Sequence, residues 1–205
     1  LAKTIGRYGD QVVRGQATEW TMSERFDATW DNYLKAIRGK TSALFELPVV
    51  GGAFLAGLDS KQADTLADMF AEVGLLFQMQ DDVLDLFGNK GRAELGADLY
   101  EGKLSALVAA HIEIYPDDRE QLRTFLRAPR EETRAEDVET WIAKFKQEGA
   151  LETVCRRIVA LAGLSIEPAV AKQFPGVVEL RRELVELVLT PIAHVLDELE
   201  LSRQE

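Results

Sequence analysis

Apolar residues recur along this chain at the three- and four-residue spacing of helices, and runs of strict apolar/polar alternation are absent. Helices are expected near 2–18, 23–39, 41–57, 61–87, 97–113, 116–127, 134–147, 150–163 and 176–202, each bounded by Gly, Pro, Asp or Ser. Ser23 before Glu24 and Ser60 before Lys61 read as N-terminal caps. Pro191 lies inside the last segment and is expected to kink or divide it. The pattern predicts an all-α fold, a large helical bundle.

Two segments depart from the ordinary amphipathic pattern. Residues 41–57 are nearly uncharged and carry Gly51, Gly52 and Gly57, which predicts a helix buried on every side, with glycines that let its neighbours approach closely. Residues 117–148 are dense in both signs of charge, including Asp117, Asp118, Arg119, Glu131 and Arg134, which predicts a solvated helical hairpin.

Composition narrows the function. The chain has 205 residues, 46% of them hydrophobic, enough for a sizeable buried core. Its net charge of −11 gives it no bulk attraction for nucleic acid or an anionic membrane, so an anionic ligand must be held by local cations or a metal. No apolar run reaches membrane-spanning length, so no membrane insertion is expected. The single cysteine, Cys155, sits in an apolar helical pattern and reads as a core residue of a cytoplasmic protein.

The chemistry concentrates in residues 66–103. On a helical wheel Leu66, Met69, Phe70, Val73, Leu76, Leu84 and Phe87 share a broad apolar face. Gly74, Gln78, Asp81 and Asp85 form a separate stripe, with Asp82 flanking it. Three carboxylates within five residues repel one another, and near a helix C-terminus they also oppose the macrodipole. A divalent cation would reverse that penalty. Magnesium takes oxygen ligands, commonly one or two carboxylates completed by water and phosphate, and Asp81 and Asp85 lie one turn apart as such a site needs. A phosphate-binding P-loop at Gly39-Lys40-Thr41 is excluded, because Leu34 occupies the place of its first glycine and no strand precedes it.

Around the acids stand further blocks in a fixed order: Gly15-Gln16, Lys40-Thr41, Phe77-Gln78-x-x-Asp81-Asp82-x-x-Asp85, and Gly96-x-Asp98-Leu99-x-Glu101-Gly102-Lys103. This ordered set, over about residues 5–110, resembles the isoprenyl (polyprenyl) diphosphate synthase family. The resemblance implies an antiparallel bundle around a central apolar cavity, and a Mg2+-dependent prenyltransferase that joins isopentenyl diphosphate to an allylic diphosphate, head to tail. Asp81, Asp82 and Asp85 would hold magnesium. Lys40 and Lys103 would contact the allylic diphosphate as it leaves. Thr41 and Gln78 would place oxygen dipoles near the allylic carbocation, with Gln16 supporting them on the same wall. Phe77 would pack near the five-carbon substrate, and Asp98 would join the outer metal and lysine network. The family also implies a homodimer, and the motif style a short-chain product such as geranylgeranyl or farnesyl diphosphate.

The family's first aspartate-rich motif and its isopentenyl-diphosphate-binding basic residues do not occur within residues 1–205. The chain is therefore expected to be a single all-α domain, the C-terminal portion of such a synthase, and inactive alone. Lys90 or Arg92 could replace the charge of an unmatched Gly-Lys pair, and the family's basic C-terminus is replaced by an acidic one from Asp197 to Glu205. Three other readings stay open: a class I terpene cyclase or head-to-head synthase, a non-catalytic synthase-like regulatory subunit, and a structural helical domain. No Ser/His/Asp triad is called for, since neither His111 nor His194 has a companion in sequence.

Overall fold

A computed structural model of the chain describes residues 2–88 and 95–201, so Lys90, Arg92 and the last four residues lie outside the described part. The described residues are helical, with no strand among them: α1 Ala2–Arg25, α2 Trp30–Ile37, α3 Ala43–Leu55, α4 Ser60–Phe87, α5 Ala97–Tyr100, α6 Ala106–Ile114, α7 Arg119–Leu126, α8 Ala135–Gln147, α9 Ala150–Ala162, α10 Pro168–Gln173, α11 Pro175–Leu189 and α12 Ala193–Glu198.

Helix α4 is the axis of the bundle. Its 28 residues span ~42 Å at the α-helical rise. Two apolar cores form along it. Toward its C-terminus Val73, Leu76, Met79, Val83 and Leu86 pack with Leu107 of α6, Phe145 of α8, Ile158 of α9 and Leu196 of α12. Toward its N-terminus Ala63, Leu66 and Ala67 pack with Tyr8 of α1, Val50 and Ala53 of α3, and Phe174 and Val177 at the start of α11. Each large side chain removed from water in this way contributes about 1.5–3 kcal/mol before entropy is counted.

A close crossing of backbones fixes the functional half. Helices α2 and α3 are joined without a break by a single π-helical turn, Arg38–Ser42. Helix α1 meets this turn at Gly15, where a Cβ would lie 2.2 Å from the Lys40 nitrogen. Helix α4 meets it at Gly74, where a Cβ would lie 2.5 Å from the Ser42 Cα. Ser42 Oγ donates to the Ala71 carbonyl at 2.8 Å and ties the turn to α4. Lys40 and Thr41 are thus held by backbone contact from two helices.

Several sequence expectations need correction. Helix α1 does not stop near residue 18, and Ser23 caps nothing, because no breaker interrupts residues 18–25. The chain turns at Phe26, which adopts φ 52° with its ring 2% exposed; Arg119 packs over that ring and donates to the Phe26 carbonyl. Thr29, whose side chain accepts from the Asn32 N–H, is the cap of α2. Asp59 rather than Ser60 caps α4, in a reciprocal box with Gln62. The expected helix at 97–113 is divided, because Ser105 caps a new helix at Ala106. Pro168 opens the unforeseen α10. Pro191 does divide the last segment, through the single turn Thr190–Ile192 between α11 and α12.

The expectation of an all-buried 41–57 segment fails. Leu44 and Leu55 are 57% and 83% exposed, and a Cβ at Gly51, Gly52 or Gly57 would meet nothing. One face of α3 instead lines an apolar cavity of about 690 Å3 with α4 and α11, open to solvent, through Pro48, Val49, Phe70, Phe174 and Leu184. The charged 117–148 stretch turns Leu122, Leu126, Val138, Trp141 and Phe145 inward and its charges outward, as its pattern predicted. Cys155 is a core residue, its thiol pushed up to about 12 by burial.

The crossing makes a sharp prediction for denaturant unfolding. Gly74→Ala should cost about 3 kcal/mol or more, since its methyl group would strike backbone. Gly51→Ala, helical and unopposed, should be neutral or stabilise by about 0.5–1 kcal/mol. Equal effects would mean that the crossing does not constrain the fold.

Candidate functional site

The site grows from the C-terminal half of α4, where 3.6-residue periodicity sends Gln78, Asp81, Asp82 and Asp85 toward α1, α2 and the segment 96–106. Asp82 is buried, and both its oxygens are occupied. Oδ2 accepts from the Tyr33 hydroxyl at 2.8 Å and from the Ala106 N–H at 2.7 Å, while Oδ1 accepts from Gln78 Nε2 at 3.1 Å. Burial pushes its carboxyl up to about 7, against the pull of those three hydrogen bonds. Tyr33 is driven well above the ordinary phenol range by burial, and then by the charge of Asp82, so its hydroxyl stays a donor. Gln78 Oε1 in turn accepts from Thr41 Oγ1 at 3.0 Å.

Asp85 is also buried and serves the neighbouring turn. Its Oδ2 accepts from the Asp98 N–H and its carbonyl from the Gly96 N–H, each at 2.9 Å. Gly96 and Gly102, at φ 78° and 68°, set the turns on either side of Asp98. Lys103 folds back to donate to Asp98 Oδ1 at 2.6 Å and pairs with Glu101 at 3.0 Å. Burial works against the Lys103 charge, but those two partners outweigh it and hold its pKa above the ordinary value. Across the pocket Lys40 Nζ donates to Glu19 Oε2 at 2.7 Å, and Gln16 Nε2 reaches the same oxygen at 2.7 Å.

The result is a polar pocket of about 60 Å3 whose lining includes Glu19, Lys40, Gln78, Asp81, Asp82, Asp98 and Lys103. Of the residues picked out by sequence, these six besides Glu19 come together, with Thr41 bonded to Gln78 behind them. Gln16 stays on the exposed side of α1 and touches the pocket only through Glu19. Phe77 turns the other way, against Phe45 with ring centroids 5.6 Å apart, and Phe45 also lines the apolar cavity. The apolar cavity lies farther back along α4, at Leu66 and Phe70, and shares no lining residue with the polar pocket. Glu19 and Tyr33 were missed in the sequence. Glu19 lies three residues past Gln16, one turn along α1, and that spacing was the available signal; Tyr33 carried none.

The acids do not form a closed cage. Among the described residues Asp81, Asp82 and Asp85 do not bring three oxygens together; the group of three ligand atoms within 4.8 Å is His111, Asp118 and Glu148, elsewhere in the fold. Asp81 and Asp98 line the pocket together, and its anionic donors are all hard oxygen atoms beside two ammonium groups. That donor set fits a magnesium ion that takes most of its ligands from water and phosphate.

The His111 group is a structural ion network that the sequence did not signal, and it contains no serine. The ring is fully buried among Tyr115, Trp141 and Phe145, with Nε2 2.8 Å from Asp118 Oδ2. Lys144 Nζ sits on that same oxygen at 2.6 Å and supplies the cation. Hydrogen bonds from Lys144, then from His111, hold the Asp118 carboxyl below its ordinary value of 3.8. A depressed carboxylate contributes stability above that value and loses it as pH falls through the folded-state pKa. Asp118→Asn should therefore destabilise the chain more at about pH 7 than in acid below the folded-state pKa, read by denaturant unfolding. A cost independent of pH would contradict the network.

Comparison with known proteins places this geometry. The model of the polyprenyl synthetase family matches residues 1–145, so the chain belongs to that family. It is 34% identical over 123 residues to a short chain isoprenyl diphosphate synthase of Methanocaldococcus jannaschii, covering 59% of this chain and 37% of that protein. It is 32% identical over 145 residues to the short chain isoprenyl diphosphate synthase of Methanothermobacter thermautotrophicus, covering 69% and 43%. The solved geranylgeranyl pyrophosphate synthase of Lactobacillus brevis superposes over 92% of this chain and 58% of its own, with TM-score 0.65 and 26% identity. The chain thus spans less than half the length of these curated relatives.

Proposed function

We propose that this chain carries the allylic-diphosphate half of a trans-prenyltransferase site, which elongates an allylic diphosphate with isopentenyl diphosphate. The observation that carries this reading is the gathering of two lysines and two acids, Lys40, Lys103, Asp81 and Asp98, around one pocket. Diphosphate and hydrocarbon are the two halves of one substrate; the pocket suits the first, and the apolar cavity farther along α4 suits the second. The 690 Å3 cavity is within the ~300–1,000 Å3 range of small-molecule pockets.

The reaction starts when the allylic carbon–oxygen bond breaks and its electron pair leaves with pyrophosphate. Lys40 and Lys103 would release Glu19 and Asp98 and take the diphosphate oxygens, so that positive charge meets negative charge as it develops. Gln78 Oε1 and Thr41 Oγ1 face the organic cation with neutral oxygen dipoles, which favour it without capturing it. Phe45 and Phe77, with ring centroids 5.6 Å apart, add apolar surface beside Gln78. Asp81, with Asp98 and Asp85 around it, would hold magnesium. The metal would supply Lewis-acid stabilisation of the leaving pyrophosphate. The double bond of isopentenyl diphosphate closes the new carbon–carbon bond, and a proton is lost from that unit. A short-chain product, geranylgeranyl or farnesyl diphosphate, matches the motif style, and a cytoplasmic location matches the lone buried cysteine. No helix among the described residues is long and apolar enough to cross a membrane.

The same proposal includes a homodimer. Helix α1 buries Tyr8, Gly15 and Met22 against the bundle, and presents Ile5, Val13 and Trp20 at 51%, 68% and 69% exposure on another face. Gly9 lies on that second face with nothing near its Cβ position. An apolar, small-residue stripe of this length suits the same helix of a second copy. Light scattering should give twice the 22.9 kDa chain mass, reduced to one chain by Val13→Glu with Trp20→Glu. A monomeric parent chain contradicts the dimer.

Activity is tested with labelled isopentenyl diphosphate, an allylic diphosphate and magnesium. Asp81→Ala should lower turnover by about 100-fold or more with the melting temperature unchanged. Undiminished turnover would remove Asp81 from the metal site, and no prenyl diphosphate from the parent enzyme would defeat the reading.

A further inference from the structure

Asp82 belongs to the acidic motif, yet its surroundings set it apart from Asp81. It is 4% exposed and receives three donors on two oxygens, from Tyr33, Ala106 and Gln78. Asp82 Oδ1 accepts from Gln78 Nε2 at 3.1 Å, so the side-chain amide of Gln78 turns its NH2 toward Asp82. Its carbonyl is then forced to the opposite side, where Thr41 donates to it at 3.0 Å. That bond uses the one hydroxyl proton of Thr41, and leaves its oxygen lone pairs for other partners. Four side chains from α2, the π-helical turn and α4 thus form one directed chain, Tyr33 to Asp82, Gln78 to Asp82, Thr41 to Gln78. Every proton in it points toward Asp82 or toward Gln78 Oε1.

We propose that Asp82 and Tyr33 are positioning residues: Asp82, held by Tyr33 and the Ala106 N–H, fixes the amide of Gln78 so that Gln78 and Thr41 present oxygen, never N–H, to the reacting carbon, and Asp82 is not a metal ligand. This rests on reading the pocket as a prenyl-transfer site. A freely rotating glutamine would spend part of its time with an NH2 dipole aimed at a developing cation, which opposes ionisation. A carboxylate behind it removes that orientation. Oδ2 already takes two buried donors, the Tyr33 hydroxyl and the Ala106 N–H, and a cation there would leave one of them unpaired, while a cation on Oδ1 would compete with Gln78. Asp81, one residue earlier and half-buried, lines the pocket.

The test uses the 205-residue chain with 15N-labelled glutamine and follows two readouts in each variant. One is solvent exchange of the Gln78 side-chain amide protons; the other is Mn2+ affinity by electron paramagnetic resonance. Asp82→Asn should speed the Gln78 amide exchange by about tenfold or more and leave Mn2+ affinity within about twofold of the parent. Asp81→Asn should do the reverse, weakening Mn2+ about tenfold while the amide stays protected. Tyr33→Phe, a milder change that keeps the fold, should speed the exchange a few-fold and not alter Mn2+ binding. Amide exchange unmoved by both Asp82→Asn and Tyr33→Phe would overturn the inference, and so would a loss of Mn2+ affinity in Asp82→Asn equal to that in Asp81→Asn. If the parent chain binds no Mn2+, the cation reading of the pocket fails, and amide exchange alone still decides the role of Asp82.

Discussion

Two helix crossings without side chains between them set the geometry on which the rest of this molecule depends. At Gly15 and at Gly74 the backbones of α1 and α4 come into contact with the π-helical turn Arg38–Ser42. A π turn has weaker hydrogen-bond geometry than an α turn and survives where its surroundings over-determine it. Here the contacts from α1 and α4, and the bond from Ser42 to the Ala71 carbonyl, supply that constraint. Lys40 and Thr41 lie in the turn itself, and Gln78 and Asp81 one and two turns beyond Gly74 on α4. The distance across the pocket is therefore fixed by backbone packing, which is stiffer than side-chain packing.

Within that frame the electrostatics answer the question posed by a chain of net charge −11. The lysines are not loose on an acidic surface. Each is held by a carboxylate beside the pocket, Lys40 by Glu19 and Lys103 by Asp98. Both pairs are partly exposed, so each is worth little to stability and can be exchanged for a stronger acceptor. A diphosphate with a bound divalent cation offers both: oxygens for the lysines, and a cation for the acids they leave. The apolar cavity farther along α4 takes no part in that exchange.

Much of this was legible in the sequence, and the parts that were not have physical reasons. The helical class, the Pro191 break and the buried Cys155 followed from periodicity and residue type, which are local properties. The grouping of Lys40, Gln78, Asp81, Asp98 and Lys103 followed from motif order, because those blocks lie on elements that must meet. Helix ends were read less well: Ser23 has a capping side chain, but the turn at Phe26 is imposed by a distant arginine, which no local pattern reveals. The glycines of 41–57 misled because composition does not say which helix faces a neighbour; the contacts fell at Gly15 and Gly74 instead. On a helical wheel Asp81 and Asp85 share a stripe that Asp82 flanks, and the partners that set Asp82 and Asp85 apart, Tyr33, Ala106 and Asp98, arrive from elsewhere in the chain.

The account stands or falls on whether the pocket between α1, α4 and the 96–106 segment takes a cation and a diphosphate together. The most direct measurement is a nuclear magnetic resonance titration of the chain with inorganic pyrophosphate, with and without Mg2+, following backbone amides and lysine ammonium groups. The account predicts Mg2+-dependent shifts centred on Lys40, Gln78, Asp81, Asp98 and Lys103, with the His111 network unmoved. Saturating shifts centred elsewhere, or no response at those five residues, would contradict it.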